Sequence, residues 1–357
     1  AWVVETPDTD FNRWPNIWLK HQLDFVGRWG RVIGRGFRDV LQDTFALSQC
    51  NPPLARKCLL EVFSKQYVSG RCIRAWRLPN GILDVQHYAD SPCWMIMALT
   101  RYLKETGDSS LLNERVSWLP DEAHPEPGDA TMWEHVLRAQ RHLLEDRGQY
   151  GLVRIRYGDW CDTMNGVGAG GEGVSVMLSM QVKMGCDLFA ELADSVGDVE
   201  IAREMRQASR ELHDTIQANC WDGDWFIRAF DDEGRKVGSK DTQPEDNGCG
   251  KIFLNPQSWA MMAGISTPEQ EERMIAAVRE HLDTGYGCIL HAPAFTGLVP
   301  RIGQMTAMTP GFYENGSVYV HGNGFWMQAL AKAGHADEAL RIWKSVLPVI
   351  DNKPNVD

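Results

Sequence analysis

The chain has 357 residues, 43% hydrophobic and 24% charged, a balance that excludes extensive disorder and fits a globular fold of one large domain or two small ones. Its net charge of −12, with no basic stretch set against it, argues against nonspecific binding to nucleic acid or an anionic membrane surface, and no apolar run reaches membrane-spanning length. Nine cysteines without a C-x-x-C pair or zinc spacing, and a start that lacks a basic region followed by an apolar one, predict buried reduced thiols in a cytoplasmic protein.

Helix signals recur along the chain. The first stretch runs from Trp14 to Val26, followed by the glycine-punctuated Arg28-Trp29-Gly30-Arg31-Val32-Ile33-Gly34-Arg35-Gly36-Phe37-Arg38-Asp39, which leads into a helix start at Val40. A second helix is expected from Leu54 to Val68. Ser91-Pro92 opens a third with a cap and a first-turn proline, and Gly107 closes it. Thr131 with Glu134 forms a capping-box pattern ahead of His135, Leu137, Leu143 and Leu144. Further helices are expected at Val174 to Ala193, Val199 to Ala218, Thr267-Pro268 to about Gly285, Gly324 to Ala333 and Ala336 to Val346. Strand-like runs are short: Gly151 to Tyr157, Trp225 to Phe230 and Gly287 to His291. Such helix dominance predicts antiparallel helix pairs in one domain over residues 1–357, either ringed as an α/α barrel or stacked as a solenoid. No residue pattern recurs at a fixed period, which favours the barrel.

The loops hold the unusual residues. Gly158-Asp159-Trp160-Cys161-Asp162 puts two carboxylates beside one indole, and the glycine-rich Gly166 to Gly173 follows it. A carboxyl held beside an apolar surface stays protonated until a leaving-group oxygen takes the proton, and an indole offers a face to a pyranose ring. Two acids three positions apart do not bracket a sugar from opposite sides, so this run supplies one acid, and a nucleophile must be activated from elsewhere or need no activation. Phosphate is such a nucleophile: already an anion, it needs positioning by Arg or His more than a base. The four arginines and Asp39 of the 28–39 stretch, and the later Glu314-Asn315-Gly316 with His321, supply groups of that kind. Cys161 has neither a neighbouring His nor a helix start to make it a nucleophile.

Taken in order, these motifs resemble glycoside hydrolase family 94, the cellobiose and chitobiose phosphorylases. Gly36-Phe37-Arg38-Asp39-Val40-Leu41-Gln42-Asp43 is similar to the family's G-F-R-D-x-x-Q-D, Gly158 to Asn165 to G-D-W-N-D-x-x-N, and Gly171 to Val176 to G-x-G-E-S-V. Pro256-Gln257-Ser258-Trp259, Pro300-Arg301-Ile302-Gly303 and Pro310-Gly311 with Glu314-Asn315-Gly316 and His321 continue the series. The resemblance implies an all-α (α/α)6 barrel and an inverting phosphorolysis that cleaves a β-linked gluco- or N-acetylgluco-disaccharide or oligosaccharide to an α-sugar 1-phosphate. It assigns Asp162 as general acid and Trp160, with Asp159, to the donor sugar. Asp39 with Arg38 or Arg35 would hold donor hydroxyls, Glu314 would face the acceptor sugar, and His321 and Arg31, with Arg28 as second choice, would bind phosphate. Inorganic phosphate is then a co-substrate, no metal or organic cofactor is implied, and a homodimer is in keeping with the family.

The sequence departs from the family pattern at Cys161, where Asn is usual. The family's N-terminal β-sandwich, its C-terminal extension and the Ser/Thr-Gly phosphate loop beyond the histidine are not among these residues, which fits either a fragment or a reduced relative. Two other functions share these motifs: a hydrolase with Glu314 as the base opposite Asp162, and a noncatalytic glycan-binding remnant.

Overall fold

The computed structural model describes residues 3–28, 34–77, 80–347, 349–350 and 353–354. They divide into two compact units, Ala1–Glu145 and Asp146–Asp357. No described helix is long and apolar enough to cross a membrane.

In the first unit, α1 (Thr9–Arg13) runs through a π-helical turn at Trp14–Leu19 into α2 (Lys20–Arg28). Pro15, which has no N–H to donate, lies at the start of the widened turn, and the single helix expected from Trp14 is therefore composite. Strand β1 (Gly34–Gly36) precedes α3 (Phe37–Cys50), and α4 (Pro52–Phe63) follows after Asn51, whose side chain caps it at Leu54 N–H. α4 stops at Phe63, short of the expected Val68, because the chain turns back on itself at Gly70, where a Cβ would clash with the Arg138 carbonyl. β2 (Ala75–Arg77) pairs antiparallel with β1 and with β3 (Leu83–Asp84). α5 (Cys93–Thr106) ends at Gly107 in the left-handed conformation, as its sequence predicts. β4 (Arg115–Ser117) pairs with β5 (Asp129–Thr131), which leads into α6 (Met132–Glu145) through a formed capping box: Thr131 N–H donates to Glu134 at 2.7 Å and Glu134 N–H to Thr131 Oγ1 at 3.2 Å. α5 is buried along the whole run Cys93 to Thr100; α3 packs against it and against α4, and α6 also lies on it.

The second unit shows a layered logic. After β6 (Val174–Ser175) come α7 (Val176–Val196) and α8 (Val199–Cys220), then β7 (Ala229–Phe230), β8 (Lys236–Val237), β9 (Ile252–Phe253), α9 (Leu254–Met262), α10 (Pro268–His281), β10 (His291–Ala292), α11 (Val320–Lys332) and α12 (Ala336–Val346). α7 packs on α9 and α9 on α11, while α8, α10 and α12 each back one of these three. The inner row explains the burial. α9 is buried at every residue and α7 over most of its length, whereas α8 buries only a stripe through Ala202, Met205, Ala208, Leu212 and Ile216. Each fully buried large apolar side chain in such a row stabilises by about 2 kcal/mol. α9 has no sequence periodicity because it has no solvent face, and Pro256, a breaker in most contexts, is tolerated in its first turn.

The strand expected over Trp225 to Phe230 shrinks to β7, and at Phe226 a side chain takes the place of a neighbouring strand. Gln257 of α9 accepts from Phe226 N–H at 2.9 Å and donates to the Phe226 carbonyl at 2.8 Å. The run expected at Gly287 to His291 likewise contributes only β10, paired with β9.

Candidate active site

The Asp159 to Thr163 loop of the second unit is held from two sides. On one, Asp159 turns its carboxylate back to accept from Cys161 N–H at 3.0 Å, closing an Asx turn. The same carboxylate accepts from Ser175 Oγ at 2.6 Å and Arg228 Nη2 at 2.5 Å. Asp159 and Arg228 are both 0% exposed. Burial is the largest influence on the guanidinium and opposes its charge, but the charge and hydrogen bond of Asp159 together with Cys161 beside it more than offset burial and hold the group protonated. On the other side, Glu314 Oε1 accepts from Asp162 N–H at 2.8 Å, while Oε2 accepts from Thr163 N–H at 2.9 Å and from the Thr163 hydroxyl. Burial pushes the Glu314 carboxyl above its ordinary value, against the pull of the Thr163 donors.

Between these two anchors the loop presents its side chains. Trp160 is buried, and Tyr319, His321 and Phe325 meet its ring edge-on at centroid distances of 5.7, 5.1 and 5.5 Å. Asp162 is half-buried. His321 lies exposed in the first turn of α11, where helix N–H groups and the dipole favour an anion. Cys161 is buried with Asn255 Nδ2 3.8 Å from its sulfur, and burial raises its thiol far above the ordinary range, so it is no nucleophile.

Two more segments fix the loop's exit. Thr163 C=O accepts from Met305 N–H at 3.0 Å, and Gly166 N–H donates to Ile302 C=O at 3.1 Å. The contact is close enough that a Cβ on Gly166 would clash with the Pro300 carbonyl. Within Pro300-Arg301-Ile302-Gly303, Arg301 is buried between Asp231 at 3.1 Å and Asp246. The glycine-rich loop invites comparison with a phosphate cradle, but its N–H groups are already taken: those of Gly170, Glu172 and Gly173 donate to the Asp232 carboxylate at 2.6, 2.8 and 2.8 Å.

The structure thus brings together Asp159, Trp160, Asp162, Glu314 and His321. Asp159 and Glu314 are buried anchors of the loop. Arg228 escaped sequence reasoning. Its signal was an arginine alternating with Phe226 and Phe230 in an apolar strand-like run, the pattern of a charge turned inward that needs an acid partner.

The remaining expected residues belong to the first unit. Arg31 lies outside the described residues, and Arg28 is described only as the end of α2. Arg35 pairs with Glu61 at 2.8 Å. Arg38 reaches Asp90 at 3.2 Å, and the fully buried Asp90 also accepts from Trp94 Nε1 at 2.9 Å. Asp39 sits in the first turn of α3 with its carboxylate over Gly36, so close that a Cβ there would overlap Oδ2. A side chain at Gly36 would displace that carboxylate, whose charge suits the helix start.

The profile of the Glycosyl hydrolase 94 superfamily, catalytic domain, matches residues 1–355. Solabiose phosphorylase of Paenibacillus borealis is 39% identical over 97% of this chain and 43% of its own length. A 3-O-beta-D-glucopyranosyl-beta-D-glucuronide phosphorylase of the same organism is 33% identical over 98% of the chain and 45% of its length, and cellobionic acid phosphorylase of Neurospora crassa 32% over 97% and 43%. The chain spans less than half the length of these relatives. Among solved structures, a Klebsiella oxytoca rhamnosidase with rhamnose bound superposes with a TM-score of 0.61 at 15% identity, over 95% of this chain and 55% of that one. The GH63 mannosylglycerate hydrolase of Thermus thermophilus in complex with glucose does so at 0.62 and 13%, over 87% and 83%. Likeness at such identity shows the fold alone, an all-α fold of the (α/α)6-barrel class. By profile and by relatives, the chain belongs to the Glycosyl hydrolase 94 superfamily, its residues 1–355 falling within the catalytic domain of that family.

Proposed function

We propose that this domain is an inverting glycoside phosphorylase acting on a β-linked gluco- or N-acetylgluco-disaccharide. Asp162 donates a proton to the bridging oxygen, the bond from the anomeric carbon to that oxygen breaks, and phosphate bonds to the anomeric carbon from the opposite face to give the α-sugar 1-phosphate. Trp160 backs the acid and the donor ring. His321, with the first N–H groups of α11, draws the anion. Neither protonation nor positioning of an anion needs a metal or an organic cofactor.

One observation carries this reading over hydrolysis. An inverting hydrolase needs a second carboxylate that can activate water across from the acid. Glu314 is 3% exposed and Asp159 0%, and both are spent on hydrogen bonds to the loop or to Arg228. With neither available as a base, an attacking group that needs none fits the site. The relatives named as phosphorylases of solabiose, of a glucosyl glucuronide and of cellobionic acid support the same class.

The test is product formation from a panel of β-linked gluco- and N-acetylgluco-disaccharides with and without inorganic phosphate. Sugar 1-phosphate that requires phosphate is expected, and Asp162→Asn should lower kcat by about 10²- to 10⁴-fold. Free sugar in both buffers would identify a hydrolase. Sugar binding without turnover, indifferent to Asp162→Asn, would identify a glycan-binding domain.

A further inference from the structure

We propose that Glu314 is a positioning residue for the proton donor, acting through the backbone of the acid loop without touching the sugar; this rests on the reading of Asp162 as the acid. The geometry is specific. The N–H groups of two successive residues, Asp162 and Thr163, converge on one carboxylate, at 2.8 Å to Oε1 and 2.9 Å to Oε2, and the Thr163 hydroxyl adds a third donor to Oε2. Bonding both peptide N–H groups fixes the plane on either side of the Asp162 Cα–Cβ bond, and hence the direction in which the acid projects. Glu314 itself is 3% exposed, leaving little surface for a substrate hydroxyl.

The anchor is rigid in its own right. Asn315, fully buried, accepts from Phe295 N–H at 2.9 Å and donates to the Phe295 and Met308 carbonyls at 2.8 and 2.7 Å. Tyr313 before Glu314 has a φ of +50° and Gly316 after Asn315 one of +69°. A bulky residue in the left-handed region is held there only by surroundings that over-determine it, and such strain concentrates at functional sites. Here it turns Glu314 and Asn315 inward.

The chemistry also explains why the residue is an acid. All three groups facing Glu314 are donors. Glutamine would place its own N–H₂ against one of them and lose a bond on that side, although it is nearly isosteric.

The experiment compares two leaving groups on one donor sugar, in phosphate buffer. The leaving sugar of a disaccharide must be protonated to depart; 2,4-dinitrophenolate need not be. Asp162→Ala should lose about 10²- to 10⁴-fold on the disaccharide and under tenfold on the dinitrophenyl glycoside. Glu314→Gln should show the same selectivity in weaker form: kcat on the disaccharide about 10- to 100-fold down, KM within about twofold, and the dinitrophenyl substrate nearly unaffected. Thr163→Val should follow it and Thr163→Ser should restore the rate, which keeps the test open if Glu314→Gln folds poorly. Equal loss on both substrates in Glu314→Gln and Thr163→Val would mean general damage to the site, and a raised KM with unchanged kcat would mean direct sugar contact; either overturns the proposal. If Asp162→Ala itself shows no selectivity between leaving groups, the reading of Asp162 as the acid is what fails, and the proposal falls with it.

Discussion

Arg228 shows how much of a loop's geometry can depend on one buried charge. It contributes through Asp159, which it meets at 2.5 Å with both side chains 0% exposed, and through Ser175 Oγ at 3.1 Å. A buried ion pair adds little compared with a well-packed apolar pair, yet breaking it strands a charge. Arg228→Met should therefore cost about 3–5 kcal/mol in urea unfolding, and pairing it with Asp159→Asn should recover much of that loss, the signature of a coupled pair. Arg228→Met that melts like the parent would show the pair to be dispensable. The sequence made Asp159 visible because it stands in a recognisable pentapeptide; its partner lies 69 positions away on a strand-like run, and no local pattern connects the two.

Elements were legible where local chemistry decides them. Gly107 stops α5, and boxes at Thr131/Glu134 and Thr267/Gln270 start α6 and α10, because these bonds form within one turn whatever the tertiary context. α9 was invisible because it is buried on all sides and shows no polar face, and the backbone of Phe226 is met by the Gln257 side chain where the sequence suggests a neighbouring strand. In the candidate site, identities could be read but occupancy could not. Glu314 and Asp159 carry the residue types of substrate ligands, and only burial and donor geometry show that they bind the loop. The glycine-rich segment makes the same point. Its N–H groups do cradle an anion, and that anion is the Asp232 carboxylate. Asp232→Ala should leave the N–H groups of Gly170, Glu172 and Gly173 without their acceptor, so their hydrogen exchange should accelerate by more than about tenfold while amides inside α7 keep their protection. Unchanged exchange at those three amides would refute the anchoring role.

At the scale of the whole molecule, the acidic balance and the buried histidines pull stability in opposite directions as pH falls. Protonating carboxylates relieves the self-repulsion of a chain with net charge −12, which favours the folded state. Each unit, however, encloses an imidazole in neutral form. Burial pushes His135 in the first unit and His291 in the second down to about 4 from 6.5, and the Pro293 and Glu314 carbonyls only partly oppose this at His291. Between those values the unfolded chain binds a proton that the folded chain does not. The stability associated with a buried neutral histidine is therefore complete above about pH 6.5 and is lost as pH falls toward and through 4, at a slope approaching about 1.4 kcal/mol per pH unit for each group. His291 isolates the effect because its neighbours are the rings of Phe253 at 4.8 Å and Phe295 at 5.3 Å, a setting that accepts another aromatic. His291→Phe shifts the absolute stability by some packing cost, so the quantity to compare is the pH dependence of urea unfolding from about 7 to about 4. The variant should lose stability less steeply than the parent across that window, with the difference between the two curves growing as pH drops. Parallel curves would mean that His291 takes up its proton without unfolding, and the acid sensitivity would then have to arise elsewhere, at His135 or at paired carboxylates such as Glu134 and Asp224, which their hydrogen-bond and ion-pair partners hold below the ordinary range.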